Sequence, residues 1–227
     1  MAGQRILTRD LAYQGIRDAV ISGEIQPGEQ VTEAMLASQF GLSRTPLREA
    51  IQRIESEDLM IRQPNGTIIV APLDVAVMEE LFNVRERLEG LLAASAAREK
   101  QLALVNQLNS VIHYEAACLE SGDWESAKEC DERFHTLLWE HSSRQIIVRI
   151  LSGFGALIER FYRLAPWRGQ LEDYLRTIHA EHQLMLQAIK EGDTVWAEMA
   201  MKSNIRSTKK YLLAAYKSAS GKDKASL

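Results

Sequence analysis

Cysteine is scarce: Cys118 and Cys130 are the 2 in 227 residues, too few for a disulfide framework. Both fall within helical patterns, which points to reduced thiols and a cytoplasmic chain. Long apolar runs are missing too. None approaches the roughly 20 residues that span a bilayer, so no membrane role is expected. Residues 1–10 carry no apolar h-region, so a secretory leader is not expected. There is no internal repeat. Positive charge is also short: the formal net charge is −4. Residues 1–73 do not reverse this. Arg5, Arg9, Arg17, Arg44, Arg48, Arg53 and Arg62 face Asp10, Asp18, Glu24, Glu29, Glu33, Glu49, Glu55, Glu57 and Asp58. Any affinity for a polyanion must come from locally grouped arginines rather than a global field. Against these absences stand 46% hydrophobic and 26% charged residues, which fit a globular chain of one large or two smaller domains.

The densest local pattern is Glu33 to Gly66. Leu36, Ala37 and Phe40 give a short helix an apolar face. Gly41 ends it, as glycine does where positive φ is needed. Ser43 sits where an N-cap belongs. A second helix follows, with Leu47, Ala50, Ile51 and Ile54 at the spacing of a buried stripe. Thr45, Arg48, Glu49 and Gln52 project from its other side. Then come Leu59-Met60-Ile61-Arg62, a Pro64-Asn65-Gly66 turn and Thr67-Ile68-Ile69-Val70. Helix, turn, helix, strand, turn, strand suggests a winged helix-turn-helix. Arg44, Thr45 and Arg48 lie in the first turns of the second helix, the part that meets base edges in a major groove. An ordinary helical hairpin followed by a β-hairpin fits the same spacing.

Thr8 to Ser22 reads as a preceding helix and Gln26-Pro27-Gly28-Glu29 as a turn. Ala71-Pro72-Leu73 reads as a linker. The expected domains are 1–73 and 74–217, with 218–227 as a disordered tail. From Val75 onward the pattern is helical: a first helix striped by Met78, Leu81, Arg85, Leu88 and Leu92, then 102–119, 124–141, 145–164, 171–190 and 194–217. Six helices with short connections predict an antiparallel bundle. The expected fold class is mainly α, a winged helix-turn-helix followed by an all-helical bundle.

Polar residues interrupt the bundle's apolar stripes. Asp131 and His135 share one helix face with Phe134 and Leu138. His182 lies in line with Ile178, Met185 and Ile189, and Asn204 with Met201, Thr208 and Tyr211. Each needs a partner if buried. One solution is a direct network, such as Asp131 with His135 and Arg85 with Glu89. The other is a divalent metal (zinc, nickel or manganese) held by Asp131, His135 and His182. His179 suits a surface or helix-neighbour role, and His113 and His141 structural ones. Arg160, Tyr162, Arg163 and Trp167 suit either a pocket wall or packing.

Gly28-Glu29, Glu33, Leu36-Ala37, Leu42 to Ala50 and Leu59 together resemble the winged-helix domain of GntR-type transcription regulators, over Leu11 to Pro72. The wing departs, with Asn65-Gly66-Thr67 where the family often has Asn-Arg-Gly. Asp131-Glu132-Arg133-Phe134-His135, Glu181-His182 and Ala188 to Asp193, with Ala197 and Met201, resemble the FadR C-terminal (FCD) ligand-binding domain. That resemblance implies a metal held by one Asp and three His beside a pocket for a small acid. The first three map onto Asp131, His135 and His182. The third His maps onto Asn204, whose carboxamide oxygen is a weaker ligand for zinc-like ions. Arg144 stands where the family often has Asn.

The expected function is a ligand-responsive repressor that binds a palindromic double-stranded DNA operator as a homodimer and is released by a small carboxylic acid effector. Operator contacts are expected from Arg44, Thr45, Arg48, Gln52, Asn65 and Gly66. Effector contacts are expected from Arg85, His135, His182 and Asn204. The rival readings are a metal-dependent enzyme built on the helical domain and a winged helix used only for protein contacts.

Overall fold

The structure, a computed structural model, describes residues 2–167 and 169–223. It divides into two compact units, one of residues up to Asp74 together with Gly153–Leu164, the other of Val75–Ser152 and the chain from Ala165 onward.

In the first unit α1 (Ala2–Ser22) leads to β1 (Gln30–Val31), α2 (Glu33–Phe40), α3 (Arg44–Ser56), β2 (Met60–Arg62) and β3 (Ile68–Val70). Thr32 caps α2, its hydroxyl accepting from the Met35 amide at 3.2 Å. Gly41 closes α2 at φ +63°, where any Cβ would crowd the backbone, and the backbone N–H there returns to the Ala37 carbonyl. Ser43 has N-cap backbone angles, but its hydroxyl makes no capping bond. Leu47, Ala50, Ile51 and Ile54 of α3 are buried, as their spacing predicts. They pack with Ile16 and Val20 of α1, Leu36 of α2 and the sheet residues Ile68 and Val70.

The sheet is antiparallel in the order β1-β3-β2. Gln30 pairs with Ile69 and Val31 with Ile68, while Met60 pairs with Val70 on the other side. The wing thus gains a third strand where sequence suggested only a turn running into a helix. β1 has just 2 residues, too few for alternation to register.

In the second unit α4 (Val75–Glu99), α5 (Leu102–Ser121), α6 (Trp124–Glu140), α9 (Leu171–Glu191) and α10 (Thr194–Asp223) pack as a bundle. α10 lies against α4 and α9, and α5 against α6 and α9. The expected helix over 145–164 is instead two, α7 (Gln145–Gly153) and α8 (Gly155–Arg163), broken at Phe154 (φ −104°, ψ 0°). Glycine on both sides of Phe154 lowers helix propensity there. The break frees α8 to join the first unit. Ala156 and Leu157 enter that unit's core, and Glu159 Oε2 accepts from Arg17 Nη2 at 2.9 Å. Arg160, Tyr162 and Arg163 therefore do not belong to the bundle, as the expected boundaries had them. α10 runs to Asp223, so the tail expected from 218 is helical over its first 6 residues, 218–223. Residues 224–227 lie outside the described residues.

Candidate functional site

The bundle's polar residues converge. Asp131 and His135 on α6 and His182 on α9 are all buried. His135 Nε2 lies 3.6 Å and His182 Nε2 3.4 Å from the same oxygen, Asp131 Oδ1. The opposite nitrogen of each ring meets a buried glutamate. His135 Nδ1 is 2.7 Å from Glu89 Oε2, and His182 Nδ1 is 3.2 Å from Glu115 Oε2. Tyr174 donates its hydroxyl to Asp131 Oδ2 at 2.8 Å. Phe134 stacks on the His182 ring with centroids 4.0 Å apart. Each ring thus has a glutamate on its Nδ1 side and Asp131 on its Nε2 side.

Arg85 donates from Nε to Glu89 Oε1 at 2.6 Å, so Glu89 holds Arg85 and His135 together. The Arg85–Glu89 pair expected of a direct network is thus formed. His179, read as a surface or helix-neighbour residue, is partly buried and meets Glu115 Oε2 of the neighbouring α5 at 2.8 Å. Asn204 is fully buried. Its Nδ2 donates to Glu181 Oε2 at 3.4 Å, and its Oδ1 makes no hydrogen bond. Ser203 and Ser207 also donate to Glu181. Glu115 and Tyr174 were not singled out in sequence. Both interrupt apolar stripes, Glu115 after Leu108 and Ile112, and Tyr174 before Ile178 and His182. The signal that flagged His182 applies to them equally. His113 bonds back to Asn109 of its own helix, and His141 meets Gln101 and Gln107. A groove of about 370 Å³ lined by Asn106, Ser110, Arg133 and Leu137 contains none of the cluster.

Burial favours the neutral form of each group, but the neighbours override it. Burial raises Glu89, yet Arg85 and His135 bring it down to about 2. Burial lowers His182, yet Glu115 and Asp131 hold it up at about 9. Without a metal His182 is therefore an imidazolium at neutral pH. Its buried Nε2 faces Asp131 Oδ1, which helps to hold the ring charged.

The cluster fits a metal on geometric grounds. One ligand atom each of Asp131, His135 and His182 lies within 4.8 Å of the others. Bonds of about 2.1 Å at a tetrahedral ion imply ligand–ligand edges of roughly 3.4 Å, close to the two distances onto Asp131 Oδ1. The carboxylates behind the rings are the outer-shell partners that metal-bound histidines ordinarily have. Those same contacts weigh against hydrolysis. Glu89 and Glu115 stand on the Nδ1 side of the rings, away from the convergence point where a general base would have to act.

In the first unit, α3 presents Arg44, Thr45, Arg48 and Gln52 to solvent. Leu47 and Ile51 hold the opposite face in the core. Asn65 and Gly66 sit at the exposed wing tip. Asn65 Oδ1 accepts from the Thr67 amide at 3.0 Å, closing the turn and leaving the Asn65 amide nitrogen outward as a donor. Arg48 donates from Nε to Glu33 at 2.9 Å. Arg53 of α3 and Arg17 of α1 both meet Glu57.

A helix-turn-helix with a wing, joined in one chain to a bundle with a built polar centre, defines a DNA-binding transcription regulator. Residues 8–70 match the model for bacterial regulatory proteins of the gntR family, and residues 80–207 match the FCD domain. The chain belongs to the GntR family, FadR/FCD subfamily. An uncharacterised HTH-type regulator from the TAR-I ttuE-ttuC' intergenic region of Agrobacterium vitis is 35% identical over 130 residues, 56% of this chain and 76% of that one. The gluconate operon transcriptional repressor of Bacillus licheniformis is 26% identical over 181 residues, 78% of this chain and 74% of its own. The solved structure of E. coli McbR/YncC superposes with a TM-score of 0.76 over 92% of this chain and 98% of its own, at 19% identity, a likeness of fold. No described helix is long and apolar enough to cross a membrane.

Proposed function

We propose that the chain is a cytoplasmic repressor that binds a two-fold symmetric operator as a homodimer and lets go when the bundle takes up a small carboxylic acid. The observation that carries this is the convergence of His135 and His182 on Asp131 inside the bundle. A fold needs no such centre, and a buried imidazolium is a natural donor to a carboxylate. The relatives named as gluconate operon repressors support the direction of control. Arg44, Thr45 and Arg48 read bases, Gln52 adds a flanking contact, and Asn65 and Gly66 let the wing approach the backbone. Two weakly charged units on one operator gain by avidity what each lacks alone.

Asp131, His135 and His182 would hold a divalent zinc, nickel or manganese ion, with the Asn204 carbonyl as a fourth donor. Such an ion supplies a Lewis-acid anchor for a carboxylate oxygen. Glu89 and Glu115 keep the Nε2 atoms aimed inward, and Tyr174 fixes Asp131. Arg85 serves the effector by setting Glu89 and offering its remaining nitrogens. Release requires that the effector bind the non-operator arrangement more tightly than the operator-bound one.

The test is a thermal-shift screen of small mono- and dicarboxylic acids, with and without added metal, on the parent and His182→Gln. Acids that raise the midpoint of the parent and also release a selected operator duplex support the reading. If no acid shifts the parent with or without metal, the effector assignment is wrong.

A further inference from the structure

Glu33 is the first residue of α2 and stands beside the recognition helix. Its Oε2 accepts from Arg48 Nε at 2.9 Å, and its Oε1 lies 3.4 Å from Arg62 Nη1 on β2. Arg62 Nε also meets Glu55 of α3 at 2.9 Å. One carboxylate thus touches both α3 and the wing.

Stability does not account for this placement. The Arg48 side chain is 63% exposed and that of Glu33 29%, and exposed ion pairs add little to a fold. An acid on this face also repels the phosphates the domain must approach. What the contact does is directional. It takes Nε, the inner nitrogen, and no described residue bonds the two terminal nitrogens. Those form the planar fork that matches the O6 and N7 acceptors of guanine. A tethered fork loses less freedom on seating than a free one. The same carboxylate competes with phosphate for that arginine wherever the fork finds no base to pair with.

We propose that Glu33 is a positioning residue for operator recognition, holding Arg48 by Nε with its fork outward and making Arg48 a poor clamp for phosphates on non-cognate DNA. This rests on the reading that Arg48 contacts the operator. Glu33 therefore acts on specificity more than on affinity.

The experiment uses the full-length protein and an operator duplex selected with it from random sequence. Affinities for that duplex and a scrambled one are measured by anisotropy across a salt series. Arg48→Ala should weaken operator binding by about tenfold or more, the loss of a bidentate base contact. Glu33→Gln, which keeps an acceptor but not the charge, should weaken operator binding about threefold and tighten the scrambled duplex about twofold at low salt. Glu33→Ala should narrow the ratio of the two affinities further. Arg62→Ala should leave the ratio unchanged, because Arg48 keeps its tether. Circular dichroism melts identify any variant that is not folded at the assay temperature, and Glu33→Gln carries the test if the alanine variant is not. Glu33 variants that tighten both duplexes equally make Glu33 a mere repulsive charge and overturn the proposal, as does an unchanged ratio. If Arg48→Ala itself leaves operator affinity unchanged, the reading beneath the proposal fails instead.

Discussion

Raising the pH from 6.5 to 9 should weaken the metal-free bundle and strengthen its hold on a metal, for one reason. His182 titrates at about 9 in the folded chain against an ordinary 6.5. The groups facing it are Glu115 on α5, Asp131 and His135 on α6, and His179 one turn earlier on α9. Its folded value is raised, so its contribution is complete below about pH 6.5 and is lost as pH climbs through about 9. The difference corresponds to about 3 kcal/mol. A metal needs the neutral ring, so its apparent affinity should rise about tenfold per pH unit up to about 9 and then level off. At pH 7 it should be about a hundredfold below that plateau. Urea unfolding of chelator-treated protein gives the first slope. Zinc competition against a chromophoric chelator gives the second, and calorimetry in buffers of differing ionisation enthalpy should find about one proton released at pH 7. Glu115→Gln removes the largest group that raises His182 and should flatten both slopes. Apo stability that is level between pH 6.5 and 9, together with pH-independent zinc affinity, would show that His182 is neutral in the fold.

Arg44→Ala and Arg48→Ala should each cost about 1–3 kcal/mol of operator binding without a change in circular dichroism, and unchanged anisotropy titrations for both would remove them from the interface. Sedimentation at micromolar concentration should find a homodimer; a monomer with full operator affinity contradicts the avidity argument. Asn204→His should raise affinity for zinc or nickel well above the parent, measured as metal retained after dialysis. Tight stoichiometric metal in the parent, unaltered by the substitution, would mean Asn204 is not the weak donor. Gly23→Ala should destabilise the first unit by about 1 kcal/mol or more, since Gly23 has φ +80° and an added Cβ would lie 2.7 Å from Leu164 Cδ2; an unchanged melting midpoint would show that the chain relaxes freely there.

Much of this protein is legible from period alone. The stripe of Leu47, Ala50, Ile51 and Ile54 and the glycine at 41 write the helix-turn-helix almost directly, because a 3.6-residue period and a positive φ leave few alternatives. Asp131, His135, His182 and Asn204 were visible as polar intruders on apolar faces, and all four are buried. What could not be seen depends on distant partners. β1 exists only because β3 comes back to pair with it. α8 leaves its chain neighbours for α1 because Ala156 and Leu157 find an apolar face there, and nothing in residues 145–164 names that face. Glu115 joins His182 across 67 positions, a pairing that helical spacing does not encode.

The distribution of buried polarity bears on function beyond any single residue. Arg85, Glu89, Glu115, Asp131, His135 and His182 are buried, lie in the bundle, and form one connected network. In the first unit the described residues up to Asp74 bury no polar or charged residue to that degree, although Arg160 of α8 is 1% exposed, and the core there is mostly Ile, Leu, Val and Ala with Tyr13 and Met60. Desolvating ions is expensive, and replacing a buried ionic group by packed hydrophobics is often neutral or stabilising. A bundle selected only to fold would therefore discard this network. The bundle carries that cost where two imidazoles and a carboxylate point at one another. The same physics that makes the centre expensive makes it responsive. In a low dielectric, a metal or an acid entering it changes the charge balance of α4, α5, α6 and α9 at once. These are the helices whose packing an effector must alter to be felt elsewhere in the chain.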